Sequence, residues 1–234
     1  MNSHSIKARD RIIVALDVST QAEALDLVGA LSGEASFFKI GLQLYTRVGP
    51  EIIRAVRATG ARVFLDLKLH DIPNTVSRSV LTAAELGVEM LTIHLSGGRA
   101  MIEAAVRAKT ENLLLLGVTV LTSADDDVLR ETGISPNVEE QVLRLAELGV
   151  MAGIGGLIAS PHEAALLRGR FGDKIRIVTP GVRPVWAAPD DQKRFMTPKD
   201  ALRNGADYLV IGRPITAHAK PREAFAKIVA ELPQ

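Results

Sequence analysis

Three short apolar runs end in charge. Ile13-Val14-Ala15-Leu16 leads into Asp17, Phe37-Phe38 into Lys39, and Phe64-Leu65 into Asp66-Leu67-Lys68-Leu69-His70-Asp71. A charge closing an apolar strand must be paired or must meet a ligand, because an isolated charge is costly to desolvate. The two-residue period of a strand puts Asp66 and Lys68 on one face, while Asp71 lies beyond the strand, in a loop. With Lys39 from a neighbouring strand, two ammonium groups and two carboxylates alternate, and the carboxylates keep the lysines protonated. A fixed ammonium group in such an array can stabilise developing negative charge and then deliver a proton. An isolated Asp-x-Lys reads first as a structural ion-pair network, which looks the same in sequence. The convergence of Asp17 and Lys39 moves the reading to function.

Elements that position these residues follow from the alternation of Val/Ile/Leu-rich runs with longer stretches of helical spacing. Strands are predicted near 11–17, 36–41, 62–68, 90–95, 113–121, 153–159, 174–179 and 207–211. Helices are predicted at 20–31, 49–59, 73–86, 98–109, 137–148, 161–168, 197–204 and 221–232, with Ser19 and Thr20 at a helix entry and Gly60 and Gly87 at helix stops. Runs as uniformly apolar as Ile12 to Leu16 fit a parallel sheet covered on both faces. An open doubly wound sheet shares that pattern, but about eight strand-helix units favour a closed (β/α)8 TIM barrel. The expectation is an α/β fold with one barrel domain over residues 1–234. In such barrels the active site lies at the C-terminal mouth, where the charged residues stand.

The composition is that of a globular protein, 47% hydrophobic and 24% charged, with a formal net charge of +1. Lys and Arg are scattered, so neither polymeric nucleic acid nor a membrane is an expected partner, though a local anion pocket is compatible with the charge. Cysteine is absent, which excludes disulfides, thiolate nucleophiles and Cys-ligated metal. Met1 to Asp10 lacks the apolar stretch of a secretion signal, making the cytoplasm the expected location. The longest stretch without clear structure, Gly181 to Met196, follows the seventh strand, where barrels often build phosphate sites.

Other residues have plainer readings. His94 reads as a satisfied core imidazole in the absence of a second ligand nearby in sequence. His70 is expected to support its loop. Gly153-Ile154-Gly155-Gly156 stands at the start of an apolar run rather than in a strand-to-helix turn, so tight packing is preferred over a dinucleotide loop. Asp125-Asp126-Asp127 reads as a solvated helix start rather than a metal site. Trp186 has two even readings, as a cover over the site or as a ring packed on the surface.

The stretch Phe64-Leu65-Asp66-Leu67-Lys68-Leu69-His70-Asp71-Ile72-Pro73-Asn74-Thr75 resembles the signature of the orotidine 5'-phosphate decarboxylases. The resemblance continues through Val14 to Asp17, Phe38 to Gly41, Val120 to Ser123, Thr179 to Pro184 and Val210 to Pro214, spanning nearly the whole chain. Asp-x-Lys-x-x-Asp alone also occurs in related sugar-phosphate barrels; its extension through Ile72 to Thr75 and the two late arginine motifs make the match specific. The sequence departs from the family at Val185 to Gln192, where Pro189-Asp190-Asp191-Gln192 stands and the family usually has Gly before the Asp-Gln pair.

The resemblance implies a cofactor-free, metal-free decarboxylation of orotidine monophosphate to uridine monophosphate in pyrimidine biosynthesis. Lys39, Asp66, Lys68 and Asp71 would form a charged tetrad, with Lys68 stabilising and protonating the carbanion at C6. Lys39 would hold Asp66 and contact the ribose, Asp71 would orient Lys68, and Asp17 would accept from ribose hydroxyls. Asp71 and Thr75, with Ile72 beside them, would reach into the site of a second subunit, making the enzyme a homodimer. Thr122 would meet the pyrimidine, Pro180 would line the site, and Arg183, Gln192, Gly212 and Arg213 would take the phosphate. The rival readings are a metal-dependent sugar-phosphate decarboxylase or aldol-type synthase on the same barrel, and a non-catalytic sugar-phosphate binding protein.

Overall fold

Apolar runs too short to be helices and too uniformly apolar to face water on either side close here into a barrel. The structure is a computed structural model that describes residues 6–135, 137–187 and 196–233. Its strands are β1 (Ile12–Ala15), β2 (Phe37–Gly41), β3 (Arg62–Leu69), β4 (Met90–His94), β5 (Leu114–Val118), β6 (Gly156–Ile158), β7 (Arg176–Thr179) and β8 (Tyr208–Ile211). Each pairs in parallel with the next, and β8 returns to β1 through Ile12 opposite Leu209. The α-helices are α1 (Gln21–Ala30), α2 (Leu42–Val48), α3 (Glu51–Ala58), α4 (Pro73–Glu85), α5 (Gly98–Ala108), α6 (Asp126–Glu131), α7 (Val138–Met151), α8 (Ala164–Phe171), α9 (Pro198–Arg203), α10 (Arg213–Thr216) and α11 (Pro221–Glu231).

Strand alternation divides the apolar residues into two cores. Inside the barrel, Ile13, Ala15, Phe37, Phe64, Met90, Leu116, Val118, Ile158, Val178 and Val210 pack together. The intervening residues, such as Ile12, Val14, Phe38, Ile40, Leu91 and Ile93, face the helices in the larger outer core. Phe37 and Phe64 are almost wholly buried, and each contributes about 1.5–3 kcal/mol by leaving water. Because the inside is filled, ligands can enter only at an end.

All eight predicted strands are present. Most are shorter than expected: β1 stops at Ala15, β5 stops at Val118, and β6 begins only at Gly156 because Gly153, with φ +94°, still belongs to the turn after α7. A Cβ on Gly156 would lie 2.8 Å from the Arg176 carbonyl oxygen, so close strand approach explains this glycine. Thr20 caps α1 in a reciprocal box with Glu23, and Gly60 and Gly87 follow the ends of α3 and α4. Asp125 accepts from the Asp127 and Val128 N–H groups at the start of α6. The predicted helix at 49–59 is α3, and a further helix, α2, precedes it across Gly49 and Pro50. Among the described residues, no helix is long and apolar enough to cross a membrane.

Candidate active site

The interior rows of the strands, followed past the apolar core, end in the polar residues. Ile13 and Ala15 lead to Asp17; Phe37 leads to Lys39 and Gly41; Phe64 leads to Asp66 and Lys68; Met90 leads to Thr92 and His94. Val210 leads in the same way to Gly212. The first three rows pass from carbon to charge toward the C-terminal mouth, and the other two end in Thr92 and His94 and in Gly212.

There the charges form a chain. The Lys39 ammonium lies 2.9 Å from an Asp17 oxygen and 3.9 Å from Asp66, and the Lys68 ammonium donates to both Asp66 oxygens at 2.8 Å. Carboxylate and ammonium thus alternate from Asp17 through Lys39 and Asp66 to Lys68. Side-chain exposure rises from 10% at Lys39 and 14% at Asp66 to 29% at Lys68 and 58% at Asp17. The two middle charges are paired inside the protein, and the two outer ones open to the mouth.

Lys68 is the one non-glycine residue with positive φ (+50°) among the described residues. A left-handed backbone costs an ordinary side chain about 1–2 kcal/mol, so its surroundings must hold it. Gly41 leaves room for the array, since a Cβ there would stand 2.9 Å from the Lys39 ammonium. Thr92, fully buried, donates its hydroxyl to Asp66 at 2.9 Å. The rings of His70 and His94 lie 5.5 Å apart beside the array. Burial first, and then the charges of His70 and Lys68, hold the His94 imidazole below its ordinary pKa of 6.5, with Asp66 opposing.

Asp71, Ile72 and Thr75 stand apart from this cluster, all exposed on the loop and first turn leading into α4. The Asp71 carboxylate accepts from the Ile72 N–H at 2.7 Å and joins no ion pair among the described residues. Gly212 borders the array: a Cβ there would come 3.7 Å from Asp17. Arg213, next in sequence, is exposed at the start of α10. Pro180 is half-buried just past β7, and Thr122 is exposed beyond β5.

Arg183 is 5% exposed, and its N–H donates to the Met196 carbonyl, where Val182 and Met196 pair across the base of the 181–196 stretch. Trp186 packs on the surface of α11: its indole donates to Glu231 at 2.7 Å, and the Lys227 ammonium sits 4.4 Å from the ring. Gln192, with Pro189, Asp190 and Asp191, lies outside the described residues.

Sequence reasoning passed over Thr92 and Gly41, and it read His94 as a core residue without its neighbour His70. The signal for Thr92 was available, because Met90-Leu91-Thr92-Ile93-His94 puts both polar residues on the interior row. Among the described residues, no group of three His, Cys, Asp or Glu could hold a metal ion.

The sequence matches the family described as orotidine 5'-phosphate decarboxylase / HUMPS over residues 10–228. The orotidine 5'-phosphate decarboxylase of Syntrophotalea carbinolica is 48% identical, with 97% of this chain and 96% of that one covered. That of Pelobacter propionicus is 50% identical at the same coverage. The crystal structure of the Lactobacillus acidophilus orotidine 5'-phosphate decarboxylase superposes with a TM-score of 0.85 at 36% identity, covering 96% of this chain and 100% of the other. Barrel, mouth and sequence agree, and the chain belongs to the orotidine 5'-phosphate decarboxylase / HUMPS family.

Proposed function

We propose that this chain decarboxylates orotidine 5'-monophosphate to uridine 5'-monophosphate and carbon dioxide, a step of pyrimidine biosynthesis carried out in the cytoplasm. The single observation that carries the chemistry is the Lys68 ammonium held 2.8 Å from Asp66 at the end of a charge chain in the barrel mouth. When the bond from C6 to the carboxylate breaks, its electron pair stays on C6 as an sp2 carbanion with little resonance relief. A cation beside C6 lowers that barrier, and its N–H then protonates the carbon, leaving a neutral amine that regains a proton from water. At about 4 Å and an effective dielectric near 20, one such pairing is worth about 4 kcal/mol, or roughly three decades of rate. Fixed charges and dipoles around the ring must supply the remainder, together with remote phosphate binding that aligns C6 with Lys68.

In this reading Lys39 and Asp17 meet the ribose, Thr122 meets the pyrimidine, and Pro180 lines the site. Gly212, Arg213, Arg183 and Gln192 take the phosphate, Gly212 through its backbone N–H and Arg213 through its guanidinium. Asp71, Ile72 and Thr75 serve the site of a second copy, so the working unit is a homodimer. Two observations support that: Asp71 makes no ion pair within its own chain among the described residues, and Leu42, Ile72 and Leu121, which follow β2, β3 and β5 at the mouth, are exposed.

The test is an assay of the purified chain with orotidine monophosphate in excess chelator, following absorbance loss and carbon dioxide release together. Full activity supports the proposal. Activity restored only by a divalent metal would assign the chain to the metal-dependent sugar-phosphate enzymes, and binding without carbon dioxide release would make it a binding protein.

A further inference from the structure

Backbone pairing around Lys68 is irregular. On one side, β2 and β3 stay in register up to Gly41 opposite Asp66, and the ladder stops there. On the other, Leu65 faces Leu91 and Leu69 faces Ile93, so Asp66, Leu67 and Lys68 stand against Thr92 alone. This bulge adds two residues to β3 and turns Lys68 into the left-handed region. The ladder therefore offers the Lys68 N–H no carbonyl. It donates instead to the Thr92 hydroxyl at 2.8 Å.

That hydroxyl in turn donates to Asp66 at 2.9 Å, on the carboxylate that both lysine ammonium groups approach. One buried oxygen thus fixes the backbone of the lysine and the carboxylate that aims its side chain. We infer that Thr92 is a positioning residue for the proposed decarboxylation, holding Lys68 in its left-handed conformation and Asp66 in line with it. Thr92 touches the reacting atoms only through these two partners. The inference rests on the decarboxylase reading for its consequence and on the backbone geometry for its cause.

Two matched pairs isolate the hydroxyl. Thr92→Val keeps the shape and removes the oxygen; Thr92→Ser and Thr92→Ala both lose the methyl, and only the serine keeps the oxygen. Hydrogen bonds to charged groups in such sites are worth enough that kcat should fall about 10- to 100-fold in Thr92→Val and Thr92→Ala, with KM within about threefold of wild type and Thr92→Ser recovering most of the loss. If Thr92→Val fails to fold, the serine and alanine pair makes the same comparison.

A purely structural threonine would instead lower the melting temperature and leave kcat alone. A crystal structure of the Val or Ala variant gives a readout apart from activity: φ at Lys68 leaves the left-handed region, or the ammonium moves off Asp66. Turnover within about twofold of wild type without the hydroxyl, or a serine variant no better than the alanine one, overturns the proposal. So does an unmoved Lys68 in the crystal. A wild-type chain that releases no carbon dioxide overturns the proposed function, and the position of Lys68 then still decides what Thr92 holds.

Discussion

An ammonium group 2.8 Å from a carboxylate is useful to a reaction only if it stays put. Asp66 holds it, accepting from Lys68 on both oxygens while Lys39 stands 3.9 Å from one of them. Removing a partner from a buried pair ordinarily strands a charge at a cost of about 3–5 kcal/mol. Here Asp66 would keep Lys39 and the Thr92 hydroxyl, and Lys68 is the more exposed partner. Lys68→Ala should therefore leave the fold intact and much of the affinity for nucleotide, because the contacts proposed for phosphate and ribose lie elsewhere. Turnover should drop by at least about three decades, the worth of one well-placed cation at the reacting carbon. Single-turnover kinetics beside a thermal melt check both halves, and near-normal turnover would remove Lys68 from the mechanism.

At the scale of elements, β3 and β4 together carry Asp66, Lys68, Thr92 and His94, and what passes between them decides the site. His94 titrates below its ordinary value in the folded chain, so between that lowered value and 6.5 the unfolded chain binds more protons than the folded one. The stability owed to a neutral His94 is then fully present above pH 6.5 and is lost as pH falls through the folded value. Denaturant unfolding across that range should show this slope in the wild type and a flatter one in His94→Gln; equal slopes would refute it. Much of this architecture was legible from the apolar strand rows, which predict the barrel and place Asp17, Lys39, Asp66 and Lys68 at its mouth. The bulge was not, because counting residues in twos along β3 assumes the regular ladder that the bulge breaks. Nor were α2 and α10 expected: helices of seven and four residues have little stability of their own and form because the barrel packs them.

At the scale of the molecule, one chain assembles four charges and turns a fifth outward. Asp71 follows β3 by only two residues, yet it binds its own loop through the Ile72 N–H instead of Lys68. Exposed Leu42, Ile72 and Leu121 follow strands at the same mouth, and in the proposed homodimer a second copy covers them and brings its Asp71 to this Lys68. The consequence is arithmetic. If each site takes Lys68 from one subunit and Asp71 from the other, a heterodimer of Lys68→Ala with Asp71→Ala holds one intact site and one doubly damaged site. Random exchange makes half of the dimers mixed, so two nearly inactive preparations, once mixed, should recover about a quarter of the wild-type activity per subunit. Native mass spectrometry of the mixture verifies the exchange. If mixed dimers form and activity stays at the level of the separate variants, Asp71 acts within its own chain or not at all, and the loop after β3 must move to reach Lys68.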